Sequence, residues 1–315
     1  MTTITCDICP RECKLQEGQT GFCNVRKNVN GGNVDAQYGL FFPNPEDHNP
    51  LGSYTVVTPG CNLQCSFCDV PFITLRFRGD TTGYRRFTPR ELVEKVLARA
   101  GGFRGGLAFQ NGLLGYFGGE PPLHYEFILE ASRICRDRGA ASKMYTAGFI
   151  NPPIMERLAK AVDSMAIGVK CCASPRVYRQ FGADPASVLE SIKIAWENCP
   201  DLWLANMVGP GLEPTLEEID AFASWLRENT DPDVRTILEA MLPPAQDQFP
   251  SNPSTKLIPG DSRFQMLTRI ERVASRLVDR FGFTNVWVDY HFRYPSGARE
   301  VPEDFLPHGK ATCRH

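Results

Sequence analysis

Seven of the twelve cysteines in this chain of 315 residues fall in two groups within its first 68 positions, at the spacing of metal ligands. The second group is Thr58-Pro59-Gly60-Cys61-Asn62-Leu63-Gln64-Cys65-Ser66-Phe67-Cys68, a C-x3-C-x2-C run with an aromatic residue before its last cysteine. Three thiolates on one short loop can ligate three irons of a [4Fe–4S] cluster. The fourth iron is then left without a protein ligand, and an open coordination position permits chemistry at the metal, whereas a fully ligated cluster mainly transfers electrons. Zinc is the competing metal, but it normally takes four ligands in two C-x2-C-like halves. Cys61, Cys65 and Cys68 therefore read as cluster ligands.

The first group, Cys6, Cys9, Cys13 and Cys23, makes a complete set of four without borrowing from the other loop. Four thiolates suit a closed zinc tetrahedron that fixes a loop-rich segment. They equally suit an auxiliary [4Fe–4S] cluster that passes electrons to the catalytic one, and the sequence leaves both open beside four free thiols. Cys135 lies within a helical pattern as a small buried hydrophobe. Cys171-Cys172 follows a strand on the predicted working face, where structure or a substrate contact can account for it. Cys199 precedes Pro200 as a turn residue, and Cys313 lies near the end.

The Cys61 loop resembles the signature of the radical S-adenosylmethionine (radical SAM) superfamily, in which the open iron chelates the amino and carboxylate groups of S-adenosylmethionine. The resemblance implies one-electron cleavage of the sulfonium to methionine and a 5′-deoxyadenosyl radical, which removes hydrogen from an unactivated carbon. Gly118-Gly119-Glu120-Pro121 looks like the family's GGE segment, which meets the amino group of S-adenosylmethionine; glycines allow close approach and Glu120 offers a carboxylate to an ammonium. Thr146, in Tyr145-Thr146-Ala147-Gly148, is similar to the T-N-G segment of the activating-enzyme branch. Lys170 sits where that branch has D-x-K, although the acid is absent from Ile167-Gly168-Val169-Lys170. Asn206 opens a segment, NMVGPGLE, that resembles the adenine-binding stretch.

The leader, with Cys6-Asp7-Ile8-Cys9-Pro10-Arg11-Glu12-Cys13 and Gly18 to Arg26, resembles that of a group related to pyruvate formate-lyase activating enzyme, including AmmeMemoRadiSam-type proteins. Activating enzymes carry a W-H-x-x-R-F-like stretch after the sixth strand, whereas this chain has TILEAMLPP over 236–244, which leaves Glu239. The expected reaction is hydrogen abstraction from a protein glycyl residue or another substrate. Transfer of a 3-amino-3-carboxypropyl or methyl group is the enzymatic alternative, and a zinc-binding or electron-carrying protein the non-enzymatic one. The basic stretch from Phe72 to Arg78, with Arg85 and Arg86, offers a surface for an electron donor such as flavodoxin or ferredoxin.

These residues need a frame, and the alternation of patterns supplies one. Strands are expected within 53–60 and 107–117, and at 142–146, 164–170, 202–208, 234–241 and 285–289. Helices are expected at 88–100, 124–138, 152–161, 185–197, 215–228 and 263–281. Such alternation implies right-handed crossovers and a parallel sheet. About six units favour an α/β fold of the partial (β/α)6 barrel type, with the chemistry where strands run out into loops. The chain is thus expected to comprise a cysteine-rich leader over 1–50, the barrel over 51–283 and an extension over 284–315. Aromatic and basic residues of that extension, Tyr290, His291 and Arg293, can flank the barrel or line a pocket.

With 34 basic and 36 acidic residues the formal charge is −2, so no positive field draws the protein to nucleic acid or anionic lipid. The first ten residues lack a signal peptide's basic flank and apolar run, and no long apolar stretch follows. A cytoplasmic protein is expected, in a compartment where clustered cysteines bind metal rather than pair as disulfides.

Overall fold

The computed structural model describes residues 2–43, 53–65, 68, 81–100, 113–209, 213–240 and 263–289. The chain divides into two compact units. The first comprises Met1–Gln64, Cys68–Ala166 and Ala186–Asp201, the second Cys65–Phe67, Ile167–Pro185 and Leu202–His315.

The leader is more ordered than its composition suggests. Strands β1 (Ile4–Thr5) and β2 (Lys14–Leu15) pair antiparallel. Strands β3 (Arg26–Val29) and β4 (Gly32–Asp35) form a hairpin in which Val29 faces Gly32. Its two-residue turn, Asn30-Gly31, has φ of 53° and 78°, both left-handed as a type I′ turn requires. The stretch expected to be loop is therefore a hairpin carrying Arg26 and Asp35.

In the first unit β5 (Leu40–Pro43) pairs antiparallel with β6 (Ser53–Val57) and with β7 (Arg85–Arg86). Helix α1 (Pro89–Ala100) follows, its start closed by Thr88 and Glu91: the Thr88 amide donates to Glu91 Oε2 at 2.7 Å and the Glu91 amide to Thr88 Oγ1 at 3.2 Å. Strand β8 (Leu113–Phe117) lies parallel to β6, and β9 (Ala141–Thr146) parallel to β8. Between them α2 (Tyr125–Asp137) buries Phe127, Ile128, Ala131, Ile134 and Cys135, each large side chain contributing about 1.5–3 kcal/mol. Helix α3 (Pro152–Ala161) opens on two prolines where no amide is needed.

Strand β10 (Ser164–Lys170) is buried along its whole length, which explains its unbroken apolar run. Its last four residues belong to the second unit, as does α4 (Pro175–Gln180); α5 (Pro185–Asn198) lies almost wholly in the first. The second unit continues with β11 (Leu202–Val208), α6 (Leu216–Asn229), β12 (Arg235–Ala240), α7 (Arg263–Ser275) and β13 (Val286–Asp289). Strands β11, β12 and β13 are parallel neighbours. Thr215 and Glu218 form a full capping box on α6. The helix expected through residue 281 is α-helical only to Ser275 and then widens into a π turn, Arg276–Arg280, whose Arg276 pairs with Asp220 of α6 at 2.6 and 2.7 Å.

The α/β class is as expected from the sequence, and the described residues contain six strand–helix units, where about six were expected. The basic stretch 72–78, the tail from 290, Cys313 and residues 210–212 lie outside the described residues. Among the described residues, no helix is long and apolar enough to cross a membrane.

Candidate functional site

The cysteine loop leaves the end of β6 through Thr58-Pro59-Gly60. Gly60 has φ +73°, and a Cβ there would lie 2.3 Å from the Cys23 carbonyl oxygen and 2.5 Å from Val25. Only glycine permits that approach, and it ties the loop to the leader. Asn62, buried, donates from Nδ2 to the Phe149 carbonyl at 2.6 Å, and its backbone carbonyl accepts from Arg11 Nε at 2.5 Å. Cys61, Cys65 and Cys68 are all half-buried, and the Leu63 amide points at Cys61 Sγ from 3.4 Å. Within the second unit, Cys65 packs against Cys171, Val177, Phe181 and Met207.

The GGE segment is held on this loop by its backbone. Gly118 and Gly119 have φ of +65° and +45°; a Cβ on Gly118 would meet Val57 at 2.2 Å, and one on Gly119 the carbonyl oxygens of Thr58 and Gly60 at 2.3 and 2.5 Å. The Thr58 hydroxyl donates to the Gly118 carbonyl at 2.7 Å, and the Glu120 amide to the Gly60 carbonyl at 2.9 Å. Glu120 is 1% exposed. Its carboxylate accepts from the Thr146 hydroxyl and, at 2.9 Å, from the Ala147 amide. Thr146 in turn accepts from the Gly148 amide at 3.0 Å, and Ser191 of α5 donates to the Gly148 carbonyl at 2.7 Å. Glu120 and Thr146, read separately from the sequence, thus form one network, and Pro121, next in the chain, is buried. The parts that sequence reading missed are the Ala147 amide and Ser191. The one signal for Ser191 is a polar residue between Val188 and Ile192 on the apolar face of α5.

In the second unit Lys170 is buried at the end of β10, its amide donating to the Tyr178 hydroxyl at 3.1 Å. Cys171, Cys172 and Ala173 then take φ of 51°, 50° and 53°, three consecutive non-glycine residues in a region that costs about 1–2 kcal/mol each. Asn206 secures this turn: its Oδ1 accepts from the Cys172 amide at 3.0 Å and its Nδ2 donates to Cys172 Sγ at 3.2 Å. Burial pushes the Cys172 thiol up to about 12, although the Asn206 contact opposes it. Cys172 stays a thiol.

Among the leader cysteines, Cys6, Cys9 and Cys23 are buried and Cys13 half-buried. Burial raises all three buried thiols, Cys9 to about 11, against backbone amides that point at the sulfurs: Ile8 at Cys6, Arg11 at Cys9, and Arg26 and Val25 at Cys23. The Arg26 amide lies 3.5 Å from Cys23 Sγ, and the Cys6 amide donates to the Cys13 carbonyl at 2.9 Å. Among the described residues, none of the cysteines is in a disulfide. Nor are three or more His, Cys, Asp or Glu of the described residues arranged to hold a metal ion. What marks both groups is the chemistry of their donors.

Residues 55–226 match the Radical SAM superfamily. An uncharacterized protein of Methanocaldococcus jannaschii, MJ0808, is 28% identical over 236 residues, which are 71% of this chain and 66% of that one. A pyruvate formate-lyase-activating enzyme of Clostridium pasteurianum is 25% identical over 178 residues, 53% of this chain and 66% of that one. The chain thus spans just under two thirds of the length of these relatives. Among solved structures, coproporphyrinogen III oxidase (HemN) of Escherichia coli matches with a TM-score of 0.50 and 18% identity, over 73% of this chain and 52% of that one. Streptococcus suis SuiB bound to the precursor peptide SuiA matches with a TM-score of 0.50 and 16% identity, over 75% of this chain and 48% of that one. At such identities these two structures speak for the fold alone.

Proposed function

The chain belongs to the radical SAM superfamily, on the branch related to pyruvate formate-lyase activating enzymes, and from that premise we propose that Cys61, Cys65 and Cys68 hold its [4Fe–4S] cluster beside a methionyl-amine site at Glu120. The observation that carries this reading is the 2.9 Å hydrogen bond from the Glu120 amide to the Gly60 carbonyl. It sets the carboxylate-bearing residue against the residue immediately before Cys61.

The donor set fits the group: three half-buried thiols on one loop suit thiolate ligation of iron. When bound, the cluster supplies an electron to the sulfonium of S-adenosylmethionine, with methionine and a 5′-deoxyadenosyl radical as products. The protein's part is binding and orientation. Glu120, fixed by Thr146 and Ala147, offers a carboxylate to the ammonium of the cofactor. In the second unit, Lys170, the further cofactor contact that the resemblance implies, is buried at the end of β10. Asn206 has both ends of its amide engaged by Cys172, so a contact with the adenosine uses its backbone or displaces that pairing.

The reaction we assign is hydrogen abstraction from a protein glycyl residue or another substrate, for which a reductant such as flavodoxin or ferredoxin would supply the electron. The four leader cysteines bind one further metal, zinc or a second [4Fe–4S] cluster, which acid-labile sulfide analysis tells apart. Anaerobic reconstitution tests the whole reading. Wild-type protein should show a cluster absorption and, once reduced, release 5′-deoxyadenosine. Replacing Cys61, Cys65 and Cys68 by alanine should abolish both. A wild type that binds zinc alone, or yields no 5′-deoxyadenosine after reduction, would overturn it.

A further inference from the structure

His124 takes no part in the proposed chemistry, yet it is fully buried and stands where the leader, the GGE segment and the cysteine loop meet. It ends the 3-10 turn Pro121–His124 that follows Glu120. Its Nδ1 lies 2.9 Å from Asp35 Oδ2 on β4, and its Nε2 lies 3.0 Å from the carbonyl oxygen of Pro59. A carbonyl oxygen only accepts, so Nε2 carries a hydrogen. A carboxylate also only accepts, so Nδ1 carries one too. We infer that His124 is a positioning residue: a doubly protonated imidazole, paired with Asp35, that grips the Pro59 carbonyl and holds the turn from which Cys61 is presented.

The surroundings support a charged ring. The side chains of His124 and Asp35 are 0% and 2% exposed, so the pair is screened from water. The nearby cation, Arg26, is itself neutralised by Glu126 through two contacts of 2.8 Å. The ring of Phe41 packs 6.1 Å away. Burial acts against the charged imidazole, but the Asp35 charge, its hydrogen bond and the Pro59 carbonyl outweigh it, and the pKa is raised. Pro59 is thus held by the turn after Glu120, while Thr58 and Gly60 on either side are held by Gly118 and Glu120. A raised pKa means that the bridge is intact below the ordinary histidine range and is lost as pH rises through the shifted value.

The consequence for Cys61 rests on its assignment to the cluster; the protonation state does not. The test uses the full-length protein as isolated, with 15N-labelled histidine, His124 being assigned by His124→Gln. Both ring nitrogens should remain of the protonated type at pH values above about 6.5, where a free imidazole has lost its proton. A single unprotonated ring nitrogen in the wild type at neutral pH would overturn the inference. In Asp35→Asn the amide can donate to Nδ1, so the ring should turn neutral while Nε2 keeps Pro59. This variant decides the matter should His124→Gln fail to fold.

On reconstituted protein, His124→Gln should release iron to a chelator about tenfold faster, the scale of a lost charge-assisted hydrogen bond. Wild-type release should quicken as pH rises through the His124 titration, and Asp35→Asn should lack that step. A purely structural His124 predicts the same pH profile in both. Unchanged iron content on Cys61→Ala would instead defeat the cluster assignment and leave the nitrogen measurement standing.

Discussion

At the scale of single residues the site turns on what Glu120 accepts. Thr146 donates to one carboxylate oxygen and the Ala147 amide to the other. An amide in place of the carboxylate has only one acceptor oxygen, so Glu120→Gln must face either the Ala147 N–H or the Thr146 hydroxyl with a second donor. Turning its nitrogen toward Thr146 is the cheaper choice, since Thr146 Oγ1 can accept, but the Thr146 hydroxyl then loses its own acceptor. The position is 1% exposed, so water does not replace the missing partner. We expect Glu120→Gln to lower stability by about 1–3 kcal/mol in urea denaturation and to weaken S-adenosylmethionine binding by calorimetry. Unchanged values in both would place the carboxylate outside the site. Glu120→Asp, which retains the charge on a shorter arm, should recover less stability than binding.

At the scale of elements, what the sequence disclosed was what neighbouring residues decide. The Thr88–Glu91 and Thr215–Glu218 caps are each three residues apart and act locally, so both could be placed by inspection. The strand at 164–170 was equally visible. The Asn30-Gly31 turn carried a hairpin signal that the leader's polar, glycine-rich composition obscured. Pairings such as Arg26 with Glu126 and Asp35 with His124 join residues 100 and 89 positions apart, and no local pattern announces them. The left-handed run at Cys171–Ala173 has no glycine to mark it; it became visible only with Asn206 in place.

The hairpin makes a clean test of the turn chemistry. A Cβ on Gly31 would touch nothing nearer than Thr2 at 3.8 Å, so Gly31→Ala should cost only the left-handed backbone penalty, about 1–2 kcal/mol. Asn30→Gly, which suits the same φ, should change stability by less than about 0.5 kcal/mol. Hydrogen exchange of the β3 and β4 amides resolves both effects. An equal loss for the two variants would mean that the turn does not set the register.

At the scale of the molecule, the leader is bound into the first unit at several points. The Cys23 carbonyl lies where a Gly60 side chain would be. Arg11 donates to the Asn62 carbonyl. The Asn151 amide donates to the Ile8 carbonyl at 3.0 Å, and Asn151 Nδ2 to the Asp7 carbonyl at 2.8 Å. Arg26, 1% exposed, reaches both Glu126 and the Leu123 carbonyl. These contacts reach the Cys61 loop, the turn after Glu120 and the starts of α2 and α3, so the leader braces the segments that flank the loop assigned to the cluster. A metal on Cys6, Cys9, Cys13 and Cys23 would then act at a distance, because its binding free energy adds to the folding of the segment that braces the loop. Cys9→Ser should therefore remove the leader metal and also make the catalytic cluster easier to lose. Metal and sulfide analysis before and after gel filtration under anaerobic conditions would show both losses. Loss of the leader metal alone, with the catalytic cluster retained as in wild type, would mean that the leader folds and functions apart from the loop it touches.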